Sequence, residues 1–172
     1  MFLYILCQKQ LCYSRFKHPG TVVIGGRRPQ HKGGGMTKYV VAKVDDIAPG
    51  ARMAVTVRGR PIVIFNLDGA LYGMMDRCPH QGAGLSQVLQ LGLAMSSEPG
   101  TAHVERCDEF IRCPWHGWEF DIKTGQSWFD PNGVYAKSLP ACAETGDEVM
   151  KGPFKAEMIE VSIDENYVVV EI

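Results

Sequence analysis

The feature that most constrains this chain is a repeated pairing of one thiol with one imidazole, first in Cys78-Pro79-His80 and again in Cys113-Pro114-Trp115-His116, which runs on into Gly117-Trp118. Donors concentrated in two short Pro/Gly segments need rigid elements on either side if they are to converge, because loops carry function only when a scaffold holds them. Thiolates and imidazoles together suit iron or zinc, and four of them can close a tetrahedral zinc site or serve both irons of a binuclear centre. Counting ligands leaves both open. Spacing favours the binuclear centre: structural zinc sites usually pair thiol with thiol and imidazole with imidazole, whereas each segment here mixes the two within one or two residues.

The rest of the chain supplies the scaffold as short strands. Tyr39 to Val44 is a β-rich run, and Arg52 to Arg58 alternates, with Met53, Val55 and Val57 on one face and Arg52, Thr56 and Arg58 on the other. Such a period of two marks a half-buried strand. Pro61 to Leu67 forms the next strand, and Asp68-Gly69 predicts a two-residue hairpin turn into Ala70 to Met75, since both residues tolerate positive φ. Near the far end Glu157 to Ile163 alternates, Asp164 to Asn166 turns, and Tyr167 to Ile172 closes the sheet. The expectation is an all-β, mostly antiparallel body with a loop-built insert over about residues 76–121 that carries the chemistry.

On these residues the chain resembles the Rieske family, whose pattern is C-x-H, a gap, then C-x-x-H. The match extends to Pro79 beside the first histidine, Gly82 and Gly84 after it, and Gly117 after the second. Lys123-Thr124-Gly125 and Leu139-Pro140 are similar to the family's later turn and closing proline loop. The resemblance covers about residues 36–172. It implies an antiparallel β-sandwich base with a cluster-binding subdomain and one [2Fe-2S] cluster per chain. It also implies Cys78 and Cys113 on one iron, and His80 and His116 on the other. The 32 residues between His80 and Cys113 are more than the family pattern leads one to expect. The excess is placed at 87–108, where Ser96-Ser97-Glu98-Pro99-Gly100 predicts a turn inside a hairpin.

Departures inside the motif indicate which kind of member this is. High-potential relatives add a cysteine to each loop and bridge them, but Ala83 and Trp115 stand at those positions. Those relatives also follow the second histidine with a Ser and a Tyr whose hydroxyls donate toward sulfur, where this chain has Trp118 and Phe120. Losing donors to sulfur destabilises the electron-rich reduced state, which places the expected potential near the low end of the family range, about −150 mV. A terminal oxygenase would need a further iron site of two histidines and a carboxylate, and only His18, His31 and His103 remain. The expectation is therefore a ferredoxin-like one-electron carrier with no catalytic residue of its own. It would be reduced by a flavin or iron-sulfur reductase and oxidised by a terminal oxygenase or reductase, with the histidines as the exit edge. Trp115 and Trp118 are expected to pack over the loops rather than to form the docking face.

Composition bounds the alternatives. A chain of 172 residues fits one domain of common size. Residues 1–35 hold six basic and no acidic side chains, against 12 basic and 19 acidic in the remainder. An acidic body disfavours nucleic acid and steers toward basic protein faces. The basic arm, ending in Gly33-Gly34-Gly35, reads as a disordered or non-native extension. Six irregularly spaced cysteines point to a reducing, cytoplasmic setting rather than a disulfide framework. No membrane span is expected, because the longest apolar stretch near the start is only Phe2 to Cys7. Cys107 and Cys142 read as ordinary thiols, Cys7 and Cys12 have no assigned role, and His103 belongs on the surface. Three other readings fit less well: a small Rieske subunit of a larger reductase such as nitrite reductase, a zinc-stabilised interaction module, and an oxygenase fragment.

Overall fold

The computed structural model describes residues 22–23, 37–151, 155–156 and 165–172. Its strands are β1 (Val22–Val23), β2 (Lys38–Lys43), β3 (Arg52–Val57), β4 (Arg60–Leu67), β5 (Ala70–Met75), β6 (Leu89–Glu98), β7 (Thr101–Arg112), β8 (Glu119–Asp121), β9 (Ser138–Leu139) and β10 (Ala141–Thr145). A short helix α1 (Gly146–Lys151) follows, then β11 (Lys155–Ala156) and β12 (Asn166–Glu171). The expected strands at 39–44, 52–58, 61–67 and 70–75 all form, each within a residue or so of its predicted bounds. Glu157 to Ile163, and residues 1–35 apart from β1, lie outside the described residues.

Three sheets result, in the orders β1-β3-β4-β5-β9, β10-β12-β2-β11 and β6-β7-β8. Most pairings are antiparallel; β1 with β3 and β2 with β11 are parallel. The hairpin between β4 and β5 closes on Leu67 opposite Ala70, with Asp68 at φ 51° and Gly69 at φ 95°, the left-handed pair that a tight two-residue turn requires. The helix was not expected. Thr145 nevertheless announces it: Glu148 N–H donates to Thr145 Oγ1 (3.3 Å) while Thr145 N–H donates to Glu148 Oε2 (3.2 Å), a reciprocal capping box.

Strand β4 organises the interior. Its run Ile62-Val63-Ile64-Phe65 is wholly buried, and alternate residues serve different cores. Ile62 and Ile64 pack with Tyr39, Val41, Val55, Val57, Val168 and Val170 between the first two sheets, which makes the sandwich base. Val63 and Phe65 point the other way, into a core shared with Met74, Leu85, Ile111, Phe120 and the thiol-bearing Cys78 and Cys113. An unbroken apolar run of this length suits a strand covered on both faces. The insert is thus seated on the base through β4 and its neighbour β5, which adds Met74 to the same core. Its long hairpin, β6 with β7, turns at Pro99-Gly100, with Glu98 opposite Thr101, where the excess residues were expected.

Candidate metal centre

Two loops rise from strand ends on the same side of this second core. The first leaves β5 at Met75, and the second leaves β7 at Arg112 and returns as β8. Their backbones repeat one pattern. Cys78 N–H donates to Ala83 O (2.7 Å), and Gly82 N–H donates back to Cys78 O (2.8 Å). Cys113 N–H donates to Trp118 O (2.7 Å), and Gly117 N–H donates back to Cys113 O (3.0 Å). In each loop the glycine four residues after the cysteine sits at positive φ, 85° for Gly82 and 71° for Gly117. A β-carbon resists that conformation, which is why both positions are glycine.

The pattern sorts the four side chains by depth. Cys78 and Cys113 are buried, each 2% exposed, with their thiols facing each other. His80 and His116 are exposed, with ring centroids 4.7 Å apart and planes at 79°. Burial pushes the Cys78 thiol above its usual range, and the backbone N–H groups of His80 and Gln81 oppose that by donating toward its sulfur. The structure therefore sets the four residues singled out from the sequence in two pairs, buried thiol facing buried thiol and exposed imidazole against exposed imidazole. A sulfur pair and a nitrogen pair at different depths fit the two inequivalent irons of a mixed-ligand cluster better than one tetrahedral zinc.

Several supporting residues escaped the sequence reading. Asp76, at the mouth of the first loop, accepts from Leu85 N–H (2.5 Å), Ser86 N–H (2.6 Å) and Ser86 Oγ–H (2.6 Å), tying the loop's end to its beginning. Arg52 reaches over from β3 and donates to Val88 O (2.5 Å). Its burial lowers its pKa, and attraction to Asp76 works against that. Trp118 lies nearly parallel to the His80 ring at 4.9 Å and 14°, and Phe129 closes on Trp118 at 5.0 Å. A shallow groove of about 460 Å³ runs alongside, lined by Arg112, Gly117, Glu119, Trp128 and Phe129. A carboxylate two residues before C-x-H was the available signal for Asp76; nothing local announces Phe129.

The remaining expectations also find their places. Ala83 is buried and Trp115 is 59% exposed, so no disulfide links the two loops. Trp118 packs against the core as expected, whereas Trp115 stands out from the surface. His103 lies on the surface beside Glu105 (2.9 Å). Cys107 and Cys142 are exposed and form no disulfide, and Cys142 Sγ approaches Glu144 Oε1 at 3.6 Å. Among the described residues, no helix is long and apolar enough to cross a membrane.

Residues 37–140 match the family model of the Rieske [2Fe-2S] domain. A human Rieske domain-containing protein is 29% identical over 94 residues, which span 52% of this chain and about half, 49%, of that protein. The ferredoxin component of the naphthalene 1,2-dioxygenase/salicylate 5-hydroxylase systems of Ralstonia sp is 27% identical over 110 residues, 64% of this chain and 90% of that one. The naphthalene 1,2-dioxygenase ferredoxin component of Pseudomonas putida is 26% identical over 121 residues, 70% and 88% of the two chains. Among solved structures, the reduced complex between oxygenase and ferredoxin in carbazole 1,9a-dioxygenase matches the fold with TM-score 0.51 at 19% identity, covering 78% of this chain and 28% of that one. A match over more than half the chain, together with the all-β fold, places it in a family that binds a [2Fe-2S] cluster and moves one electron at a time. The chain belongs to the Rieske [2Fe-2S] family and is a one-electron carrier.

Proposed function

We propose that this chain is the ferredoxin-like component of an oxygenase or related redox system in the cytoplasm, taking electrons from a flavin or iron-sulfur reductase and passing them to a terminal oxygenase. In this reading Cys78 and Cys113 hold one iron, and His80 and His116 hold the other. The observation that supports it is the twin loop pattern, which carries two buried thiols and two exposed imidazoles on matching backbones. Similarity to ferredoxin components of dioxygenase systems along most of their length supports the choice of partners.

When bound, the cluster supplies a one-electron couple. The chain's own residues set the conditions for it. Buried Cys78 and Cys113 keep water from the sulfur side, and the N–H groups of His80 and Gln81 aim at Cys78 sulfur. Phe120, fully buried where high-potential relatives carry a hydroxyl, donates nothing. Fewer donors to sulfur mean a less stabilised reduced state, so a potential near the low end, about −150 mV, is expected. The exposed imidazoles offer the short path to a partner, while the shallow groove beside them is no substrate cavity of the enclosed kind.

The test is electron paramagnetic resonance of the dithionite-reduced protein, with iron quantified in the same sample. A mixed sulfur-nitrogen [2Fe-2S] signal at two irons per chain is the expected result. A colourless zinc protein, or iron bound through sulfur alone, would overturn the assignment.

A further inference from the structure

The two candidate histidines do not have equal surroundings. His80 is covered on one ring face by Trp118, whose plane lies within 14° of its own at a centroid distance of 4.9 Å. Trp118 is backed by the core beneath it, stacks toward Phe120 at 6.4 Å, and is flanked by Phe129 at 5.0 Å. Phe129 itself is 75% exposed, so burial does not explain its position. It is held by the backbone: fully buried Ser127 accepts at Oγ from the N–H groups of both Phe129 and Asp130 (3.2 Å each), and Trp128 N–H donates to Glu119 O (2.9 Å). Among the described residues, the only ring found against His116 is His80, edge-on.

From this asymmetry we propose that Trp118, braced by Phe129, is a positioning residue for His80. It fixes that imidazole's plane and keeps water off its face, leaving His116 as the open nitrogen ligand toward a redox partner. The proposal rests on the cluster assignment above and adds a division of labour between its two histidines. Stacked aromatics gain energy in offset parallel geometry, and a ring trapped against a packed indole loses rotational freedom that an uncovered one keeps. Reduction adds negative charge at the cluster. An apolar cover that excludes water disfavours the added charge and lowers the potential.

The experiment compares the cluster-loaded wild type with Trp118→Leu, Trp118→Phe and Phe129→Ala by redox titration and by nitrogen hyperfine spectroscopy of the reduced state, with iron measured in each. Wild-type iron content and its two nitrogen couplings test the cluster assignment by themselves, so a failure there is separate from a failure of this proposal. In Trp118→Leu one nitrogen coupling should move while the other stays, and the potential should rise. Trp118→Phe should restore most of both, and Phe129→Ala should shift the same coupling by less. Phe129 lies on the surface outside both loops, so its variant carries the test even where Trp118→Leu fails to assemble. Wild-type couplings and potential in Phe129→Ala, or equal movement of both nitrogens in any variant, overturn the proposal.

Discussion

The first and second loops of the metal centre share a backbone and differ in their fastening. Each closes on a cysteine N–H bonded five residues ahead and a glycine N–H bonded four residues back. The second loop needs little more, because it is the turn between paired strands: Arg112 lies opposite Glu119 in the ladder, and the Arg112 guanidinium holds the Glu119 carboxylate. The first has no returning strand, since the chain wanders from Gly82 to Val88 before β6 begins. One carboxylate, Asp76, supplies the closure instead. Identical templates can therefore rest on a sheet in one case and on side chains, Asp76 first and Arg52 at the loop's far end, in the other.

That contrast can be broken most severely at the candidate ligands. Cys78→Ala, Cys113→Ala and His116→Ala should each lower bound iron about tenfold or more, read as iron per chain and visible absorption. If only one loop's variants lose iron, the loops are not equal partners. Next comes Asp76→Ala, which strips three hydrogen bonds and leaves two loop N–H groups without their acceptor. A loss of about 2 to 3 kcal/mol in thermal or denaturant unfolding is expected, and iron should then leave the first loop's ligands sooner. Removing the Arg112–Glu119 pair by Glu119→Gln, an exposed contact within an intact ladder, should cost about 1 kcal/mol or less. Equal effects of the two would erase the distinction drawn here.

The shared part of the template gives a sharper check. Gly82→Ala and Gly117→Ala place a β-carbon at φ 85° and 71°, and neither meets hard obstruction: the nearest atom to the first is Arg77 Nε at 3.4 Å, and the second has open space. Both should cost about 1 to 2 kcal/mol, by left-handed strain alone. Costs differing by more than that range, measured by chemical denaturation, would mean the loops are not equivalent.

The smallest effect is acidic. Lys123 Nζ and Arg106 Nε both bond Glu109 (2.7 Å each), and Arg106 Nη2 bonds Asp121 (2.6 Å), clamping the base of the long hairpin to the turn after β8. Lys123 first, then Arg106, hold the Glu109 carboxyl below its usual range against the opposing pull of burial. A depressed carboxylate contributes fully above its unfolded pKa of about 4.3 and loses that contribution as pH falls through the lower folded value. These partners are partly exposed, so the difference between wild type and Glu109→Gln should stay under about 1 kcal/mol near neutrality and vanish in strong acid.

What could be read in advance followed from local chemistry. The four candidate ligands stood out because each type is informative at that spacing. The β4–β5 turn was legible in Asp68-Gly69, and the long hairpin's turn in Pro99-Gly100, because positive φ has few takers. The helix has an equally local signature in Thr145-x-x-Glu148, set between stronger strand signals. Two features were harder. Asp76 bonds residues nine and ten positions ahead, and Phe129 meets Trp118 only after the chain has turned through β8. Neither contact has a sequence period, since both arise from how the loops fold back over the second core.

Strand β4 has a final consequence. With Ile62 and Ile64 turned to the sandwich and Val63 and Phe65 turned to the metal loops, it is the party wall of two rooms, and neither room can be dismantled while the other stands. Heating should give one melting transition, with iron release and sheet loss at the same temperature, and whatever strengthens the grip on the iron should raise the melting point of residues far from it.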